Sequence, residues 1–408
     1  MNQDSKVPAL RTDIAGEVFK QDEEELIMLY DPNGYALEPL PLPVDLVPFL
    51  QMLNGELTFI QFDAMIREAI DGDAQQFIDY FKEILKMLDY YGYLETPRFQ
   101  WLKQDIDNYK SSDIRPPVCA GNSYPNNKAE AENELDKIFA SYNKEDVKPG
   151  ADMIIVPHID FRIGTAAHKT YSSGYHALRN SNPDLVVIFG TSHYGMSGLF
   201  MLTDKHFDTP LGLAVTDLEI TNALKDYENE AVVFDDFAHR NEHSIELQVV
   251  LAQHYFNNPN ISILPVLVGS FHEFVNKKEL PDADSKIVSF LNTLNDLIKK
   301  SGKKAVYITS ADMAHIGRKF GDEFDAEDML EVIKLEDNKL IHHMANCDAD
   351  SYFMEVANLE DKYKICGLSP IYAMLKMRKP IESRFLEYHQ WSEKETKSAV
   401  TFSSLAYY

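Results

Sequence analysis

Met153-Ile154-Ile155-Val156-Pro157-His158-Ile159-Asp160 is an unbroken apolar run, mostly β-branched, that ends at once in a proline, a histidine and a carboxylate. Such a run reads as a strand buried on both faces, the signature of a sheet sandwiched between helices. The same arrangement recurs downstream. Leu185-Val186-Val187-Ile188-Phe189 leads into Gly190-Thr191-Ser192-His193-Tyr194, and Ala305-Val306-Tyr307-Ile308 leads into Thr309-Ser310-Ala311-Asp312-Met313-Ala314-His315. Ile261 to Val268 is a fourth buried strand, and Ala399 to Tyr408 is expected as the last. Between the runs, Ser244 to Phe256 places Ile245, Val249, Ala252 and Phe256 on one helical face.

Strands alternating with helices define an α/β fold with a mixed or parallel sheet flanked by helices. In open α/β sheets, ligands bind beyond the carboxyl ends of the strands. His158, His193, Asp312 and His315 are therefore expected along one edge. Any one histidine after a strand has a plainer reading as a packed residue, but several at the same end of successive strands point to a metal site. Neutral imidazole suits zinc, iron and copper alike.

Two further segments carry chemistry. Asn241-Glu242-His243-Ser244-Ile245-Glu246 opens the helix, with spacings that let Glu242, His243 and Glu246 share a face. Glu242 and His243 are candidates for acid/base or supporting roles; the plainer alternative is a helix start with acidic residues favoured by its dipole. Cys366 sits in Lys364-Ile365-Cys366-Gly367-Leu368, a glycine-containing turn. A buried cysteine is by default a small hydrophobe, and beside a metal its thiolate becomes a strong soft ligand. Histidines elsewhere, such as His168, His176 and His254, read as surface or structural. Neither GxGxxG after a strand nor GxxxxGK[ST] occurs, so no nucleotide cofactor is expected.

Working outward, the 408 residues exceed one ordinary core. Residues 1–100 read as a small separate module: Pro41-Leu42-Pro43, then Leu46, Phe49, Leu50 and Leu53, then an amphipathic helix through Phe77, Phe81, Ile84, Leu85 and Leu88 that stops at Gly92. Helices followed by an extended segment at Tyr93-Leu94 suggest a small α+β winged-helix-like domain. Residues 101–113 are polar and then approach Arg115-Pro116-Pro117, so a linker is expected there, with the α/β domain covering 114–408. A net charge of −26 disfavours nucleic acid and anionic membrane as partners. No run approaches a spanning helix and the first residues do not read as a leader, so a cytoplasmic location is expected, with Cys119, Cys347 and Cys366 as reduced thiols.

From Arg115 onward the ordered blocks Val156-Pro157-His158, Gly190-Thr191-Ser192-His193, Thr209-Pro210-Leu211-Gly212, Glu242-His243-Ser244-Ile245-Glu246, Pro265-Val266-Leu267-Val268-Gly269, Ser310-Ala311-Asp312-Met313-Ala314-His315 and Ile365-Cys366-Gly367 resemble the Memo family, also labelled component B of the AmmeMemoRadiSam system. The resemblance implies a fold similar to the class III extradiol dioxygenases (LigB-like), which use non-haem Fe(II). It implies a mononuclear metal on His158, His193 and Cys366, with Fe(II) expected and copper or zinc as alternatives. Asp312, His315, Glu242 and His243 fall around the same cleft as candidate catalytic groups. It also implies partners, a radical SAM protein and an AMMECR1-like protein, and residues 1–100 look similar to the peptide-binding PqqD-like domains. Redox or dioxygenase-type chemistry on an unknown substrate is one expectation; a non-catalytic peptide- or partner-binding component of a modification system is the other. A departure from the family pattern is Asp160, two residues after His158, which either retunes the site or caps the next helix.

Overall fold

The computed structural model describes residues 4–21, 24–70, 72–195 and 197–408. It forms two compact units, Met1–Ser112 and Asp113–Tyr408.

In the first unit, β1 (Ala15–Gln21), β2 (Glu24–Tyr30) and β3 (Leu40–Pro43) make an antiparallel sheet in that order. Pro41 and Pro43 are accommodated because β3 is an edge strand, with Leu40 and Leu42 turned inward. Then come α1 (Val47–Gln51), α2 (Phe59–Ala69), α3 (Ala74–Tyr91) and α4 (Pro97–Ser111). Helix α3 is the one read from Phe77 to Leu88. Asp73 caps its start by accepting from Gln75 N and Gln76 N, and Gly92 ends it at φ 85°. Two expectations are corrected. The ribbon precedes the helices instead of following them, and after Gly92 only Leu94 pairs, with Leu10. Residues 101–111, expected as linker, are helical: Thr96 caps α4, Pro97 suits its first turn, and Phe99, Leu102, Ile106 and Tyr109 bury a stripe at helical spacing. Polar residues between those four conceal the stripe in the sequence.

The second unit holds a ten-stranded sheet and a small parallel pair, β4 (Ile114–Arg115) with β8 (His206–Phe207). The large sheet comprises β5 (Met153–Val156), β6 (Leu185–Thr191), β7 (Phe200–Leu202), β9 (Val215–Thr216), β10 (Val232–Phe234), β11 (Ser262–Val268), β12 (Ala305–Ser310), β13 (His315–Gly317), β14 (Ser383–Glu393) and β15 (Ser398–Tyr407). Its order is β10-β7-β11-β6-β12-β5-β15-β13, with β14 paired to β15 and β9 to β11. The centre, β11-β6-β12-β5, is wholly parallel; β15 runs antiparallel to β5.

In chain order the helices are α5 (Lys128–Ala140), α6 (Thr165–Ala177), α7 (Leu218–Lys225), α8 (Asp236–Arg240), α9 (His243–Phe256), α10 (His272–Lys277), α11 (Ser285–Lys300), α12 (Leu330–Ala345), α13 (Ala349–Asn358) and α14 (Leu368–Arg378). Strand residues alternate between two cores. Met153, Ile155, Leu185, Val187, Leu264 and Val266 face α7 and α10 to α14, while Ile154, Val156, Val186, Ile188, Ile263 and Leu267 face α5, α6, α8 and α9. Burial on both faces is why these strands read as continuous apolar runs. Among the described residues no helix is long and apolar enough to cross a membrane.

A buried acid on α12 gives a test of this packing. Asp337 accepts from Tyr388 Oη at 2.8 Å, and burial pushes its carboxyl up to about 6. Between the ordinary carboxylate range and that value, the folded chain holds a proton the unfolded chain releases, so stability falls as pH rises through about 4 to 6. Two pKa units correspond to about 3 kcal/mol. Asp337→Asn should therefore gain on the parent by an amount of this order when denaturant midpoints are compared at pH 4 and pH 7. Equal shifts in both proteins would refute the assignment.

Candidate metal centre

The parallel neighbours β6, β12 and β5 all end at one edge. His158 follows β5 by two residues, His193 follows β6 by two and Asp312 follows β12 by two. Cys366 arrives from the segment before α14, which lies directly on the continuation of β12. Cys366 N donates to Met313 O (3.2 Å) and Gly367 N to Asp312 O (2.8 Å). A Cβ on Gly367 would stand 2.6 Å from that carbonyl, so glycine permits the approach. His243 is the first residue of α9. The start of α9 meets β6 because Gly190 lacks a side chain; a Cβ there would lie 2.5 Å from Ser244 Oγ.

These segments bring three imidazoles and a thiol together. The ring of His158 is 5.1 Å from the rings of both His193 and His243, and the latter two stack at 4.8 Å. Cys366 Sγ lies 3.2 Å from His158 Nε2 and 3.4 Å from His193 Nε2. The other ring nitrogens are held outward. His158 Nδ1 donates to Ser310 O (3.1 Å) and His193 Nδ1 to Glu242 Oε1 (2.9 Å). Each proton is thereby fixed on Nδ1, which leaves a lone pair on Nε2, facing the sulfur. One ligand atom each from His158, His193 and His243 lie within 4.8 Å of one another, a group that could hold a metal ion.

Glu242 organises this edge. Its Oε2 accepts from His193 N (2.7 Å) and its Oε1 from His193 Nδ1 and Ser244 N (3.0 Å), the last being the cap of α9. His243 Nδ1 is 3.2 Å from the same Oε1. Burial alone would raise the Glu242 carboxyl, but the hydrogen bonds and charges of His193 and His243 hold it well below the usual carboxylate range. Conversely, burial would lower His243, yet Glu242 raises it above an ordinary histidine. His158 is buried and, chiefly by desolvation, is driven well below its ordinary value, so it is neutral. Burial pushes Asp312 up to about 7; its Oδ1 accepts from His158 N (2.9 Å) and its Oδ2 is 3.7 Å from His158 Nε2. Burial, with Asp312 adding to it, pushes the Cys366 thiol up in the absence of a cation. A bound cation reverses that balance, because a coordinating thiol is deprotonated outright.

Not every candidate joins the cluster. His315 is not one of the three grouped histidines: it opens β13, packs on Phe320 (5.0 Å) and turns Nδ1 to Met313 O (3.2 Å), and burial, with the charge of His193 adding to it, drops it to about 4. Glu246 points away from the cleft into a buried pair with Arg115, and also accepts from Val118 N, Cys119 N and Tyr124 Oη. Helix α9 thus does not place Glu242 and Glu246 on one face: Glu242 is its cap, not part of its first turn. Asp160 caps the short helix Phe161–Ile163 and pairs with Arg162, the capping alternative.

Gln248 is a supporting residue that sequence reasoning passed over. Its Nε2 donates to Pro157 O (2.7 Å) and Ser310 Oγ (3.0 Å), tying the ends of β5 and β12 to α9. A lone amide in Leu247-Gln248-Val249-Val250-Leu251 was the available signal.

A sheet edge carrying imidazoles, a thiol and buried carboxylates at the carboxyl ends of its strands defines an α/β protein with a candidate metal-binding cleft. Comparison with known proteins narrows this class: residues 115–406 match the family described as Memo-like protein, and the chain belongs to the Memo family. It is 28% identical over 330 residues to a MEMO1 family protein of Aquifex aeolicus (strain VF5), covering 80% of this chain and 82% of that protein. It is 29% identical over 271 residues to one from Methanosarcina mazei, covering 66% and 88%, and 25% identical over 306 residues to one from Pyrococcus furiosus, covering 72% and 98%.

Proposed function

We propose that this protein binds one metal ion through His158 Nε2, His193 Nε2 and Cys366 Sγ, with Fe(II) as the expected ion, and acts as a metal-dependent redox protein on a small substrate. The convergence of Cys366 Sγ on two Nε2 atoms whose rings are pinned from behind carries the reading. The donor set fits a borderline or soft transition ion, so copper and zinc compete with iron for it. Any of these ions, with three protein ligands, would supply Lewis-acid chemistry at its remaining positions, and iron or copper would supply one-electron chemistry as well.

The chain's own residues supply the rest. Glu242 orients His193 and keeps a proton on His243, which makes His243 the group placed to give or take a proton at the mouth of the cleft. Asp312 fixes the His158 backbone through Oδ1. His315 stands near enough to His193 for their charges to interact, which suits it to a part in proton movement.

The test is metal analysis of protein purified without oxygen from iron-replete cells. About one equivalent of iron per chain, lost in His158→Ala and His193→Ala while both variants keep their fold, is the expected result. Parent protein that binds no transition metal sinks the proposal.

A second reading is favoured by one observation: the Methanosarcina relative is matched over 88% of its length yet aligns with only 66% of this chain. The chain therefore carries additional sequence, suited to recruiting a peptide or partner within a cytoplasmic modification system that contains a radical SAM protein and an AMMECR1-like protein. Size-exclusion of the full chain with each purified partner tests this, and separate elution at micromolar concentration would remove it.

A further inference from the structure

We infer that His243 is a conditional fourth metal donor, which closes the site around ions that prefer four tetrahedral ligands and stands clear of ions that keep open positions. The inference rests on the metal reading above and concerns how that site is regulated.

Its basis is that Glu242 treats two imidazoles alike. One oxygen, Oε1, faces Nδ1 of His193 at 2.9 Å and Nδ1 of His243 at 3.2 Å. The two rings stack 4.8 Å apart with 27° between their planes, so they leave the carboxylate in nearly the same direction. The contact that holds the His193 ring by Nδ1 holds the His243 ring in the same way, so a cation that displaces the proton from His243 Nε2 meets a ring already oriented. A ligand atom of His243 lies within 4.8 Å of those of both His158 and His193. Cys366 Sγ lies against two of these three, at 3.2 Å from His158 Nε2 and 3.4 Å from His193 Nε2, so a turn of the His243 ring or of the thiol would bring three imidazoles and one thiolate to one ion, the number a tetrahedral ion takes.

The two roles of His243 exclude one another. A ring nitrogen bound to a cation cannot hold a proton for a substrate. An ion such as Zn²⁺ or Co²⁺ that recruits His243 fills its last coordination position and removes the proton carrier in one step. An ion satisfied by His158, His193 and Cys366 leaves His243 free. The site thus distinguishes a silent metal from a working one by the number of donors each demands.

Co²⁺ titration followed by absorption is the experiment, with the full-length protein in its parent, His243→Ala and Cys366→Ser forms. The parent should show intense visible bands of four-coordinate Co²⁺ together with a near-ultraviolet sulfur-to-cobalt band. His243→Ala should keep the sulfur band, which shows the remaining site intact, while its visible bands weaken severalfold as water replaces the imidazole. Cys366→Ser should lose the sulfur band and keep bound Co²⁺ on the three imidazoles. Competition should show Zn²⁺ affinity falling by roughly 10- to 100-fold or more in His243→Ala, with Fe(II) content unchanged. Identical visible spectra in parent and His243→Ala overturn the inference, as does loss of the sulfur band in His243→Ala, which would make His243 an obligate part of the site. A parent that takes up no Co²⁺ instead overturns the underlying metal reading.

Discussion

Glu242→Ala is expected to weaken metal binding more than any other change outside the ligands themselves, because the substitution releases both His193 and His243 and uncaps α9 at once. Loss of a single partner behind a ligating histidine costs roughly 10- to 100-fold in affinity. Here the carboxylate also fixes the His193 backbone through Oε2, so the ligand loses its position as well as its tautomer. Removal of the cap adds about 1 kcal/mol of instability. Glu242→Gln separates these effects. Its amide oxygen, in the place of Oε1, still caps Ser244 and accepts from His193 Nδ1, but its amide nitrogen is a donor facing the backbone N–H of His193, and the negative charge is gone. Glutamine should restore most of the melting temperature and little of the affinity. Metal titrations and thermal melts on both variants check this, and a glutamine variant that binds as tightly as the parent would refute the role given to the charge.

Arg115→Met should produce the largest loss of stability. Arg115 and Glu246 are both fully buried. The guanidinium also donates to His239 O (2.8 Å), Glu242 O (2.8 Å) and Pro116 O (3.2 Å). Removing one partner of a buried pair leaves an uncompensated charge, at a cost of about 3 to 5 kcal/mol. For a unit of this size that lowers the melting temperature by about 5 to 8 °C. A second change, Glu246→Gln, removes the stranded charge and should recover a large part of the loss. Metal binding should suffer too, since the carbonyl of Glu242 loses its tether. A single variant melting within a degree or two of the parent would show that the pair is not the fastening described.

The strands that build the edge were legible because each is buried on both sides, which leaves no polar residue inside the runs at Met153, Leu185 and Ala305. Helix α9 was legible from its spacing. Strand β14 was not: Ser-Arg-Phe-Leu-Glu-Tyr-His-Gln-Trp-Ser-Glu is half-buried along its length and pairs only with β15 among the described strands, so it carries the mixed polarity of a margin. The order of the first unit was misread for a related reason, since β1 is mostly exposed and β2 is largely half-buried, with only Leu29 buried among its residues.

At the site, sequence spacing brought His158, His193 and Asp312 to one edge, and the family resemblance added Cys366. The structure gathers all four and sets His243 closer to the ligand rings than a purely acid/base part requires. Glu246 shows the limit of spacing arguments. Whether a carboxylate on a helix turns to a cleft or to a buried arginine depends on a residue more than a hundred positions away, here Arg115.

Strand β15 comes after every other site-bearing segment in the chain, yet the loop carrying Asp312 is fastened to it. Met313 N donates to Thr401 O (2.8 Å), Ala314 N to Thr401 Oγ1 (2.9 Å), and Thr401 N returns a bond to Ala314 O (2.9 Å). During synthesis, β5, β6 and β12 emerge before the strand that fixes this loop. The loop that carries Asp312 is therefore tied down only once Thr401 is in place, later than the strands that deliver His158 and His193.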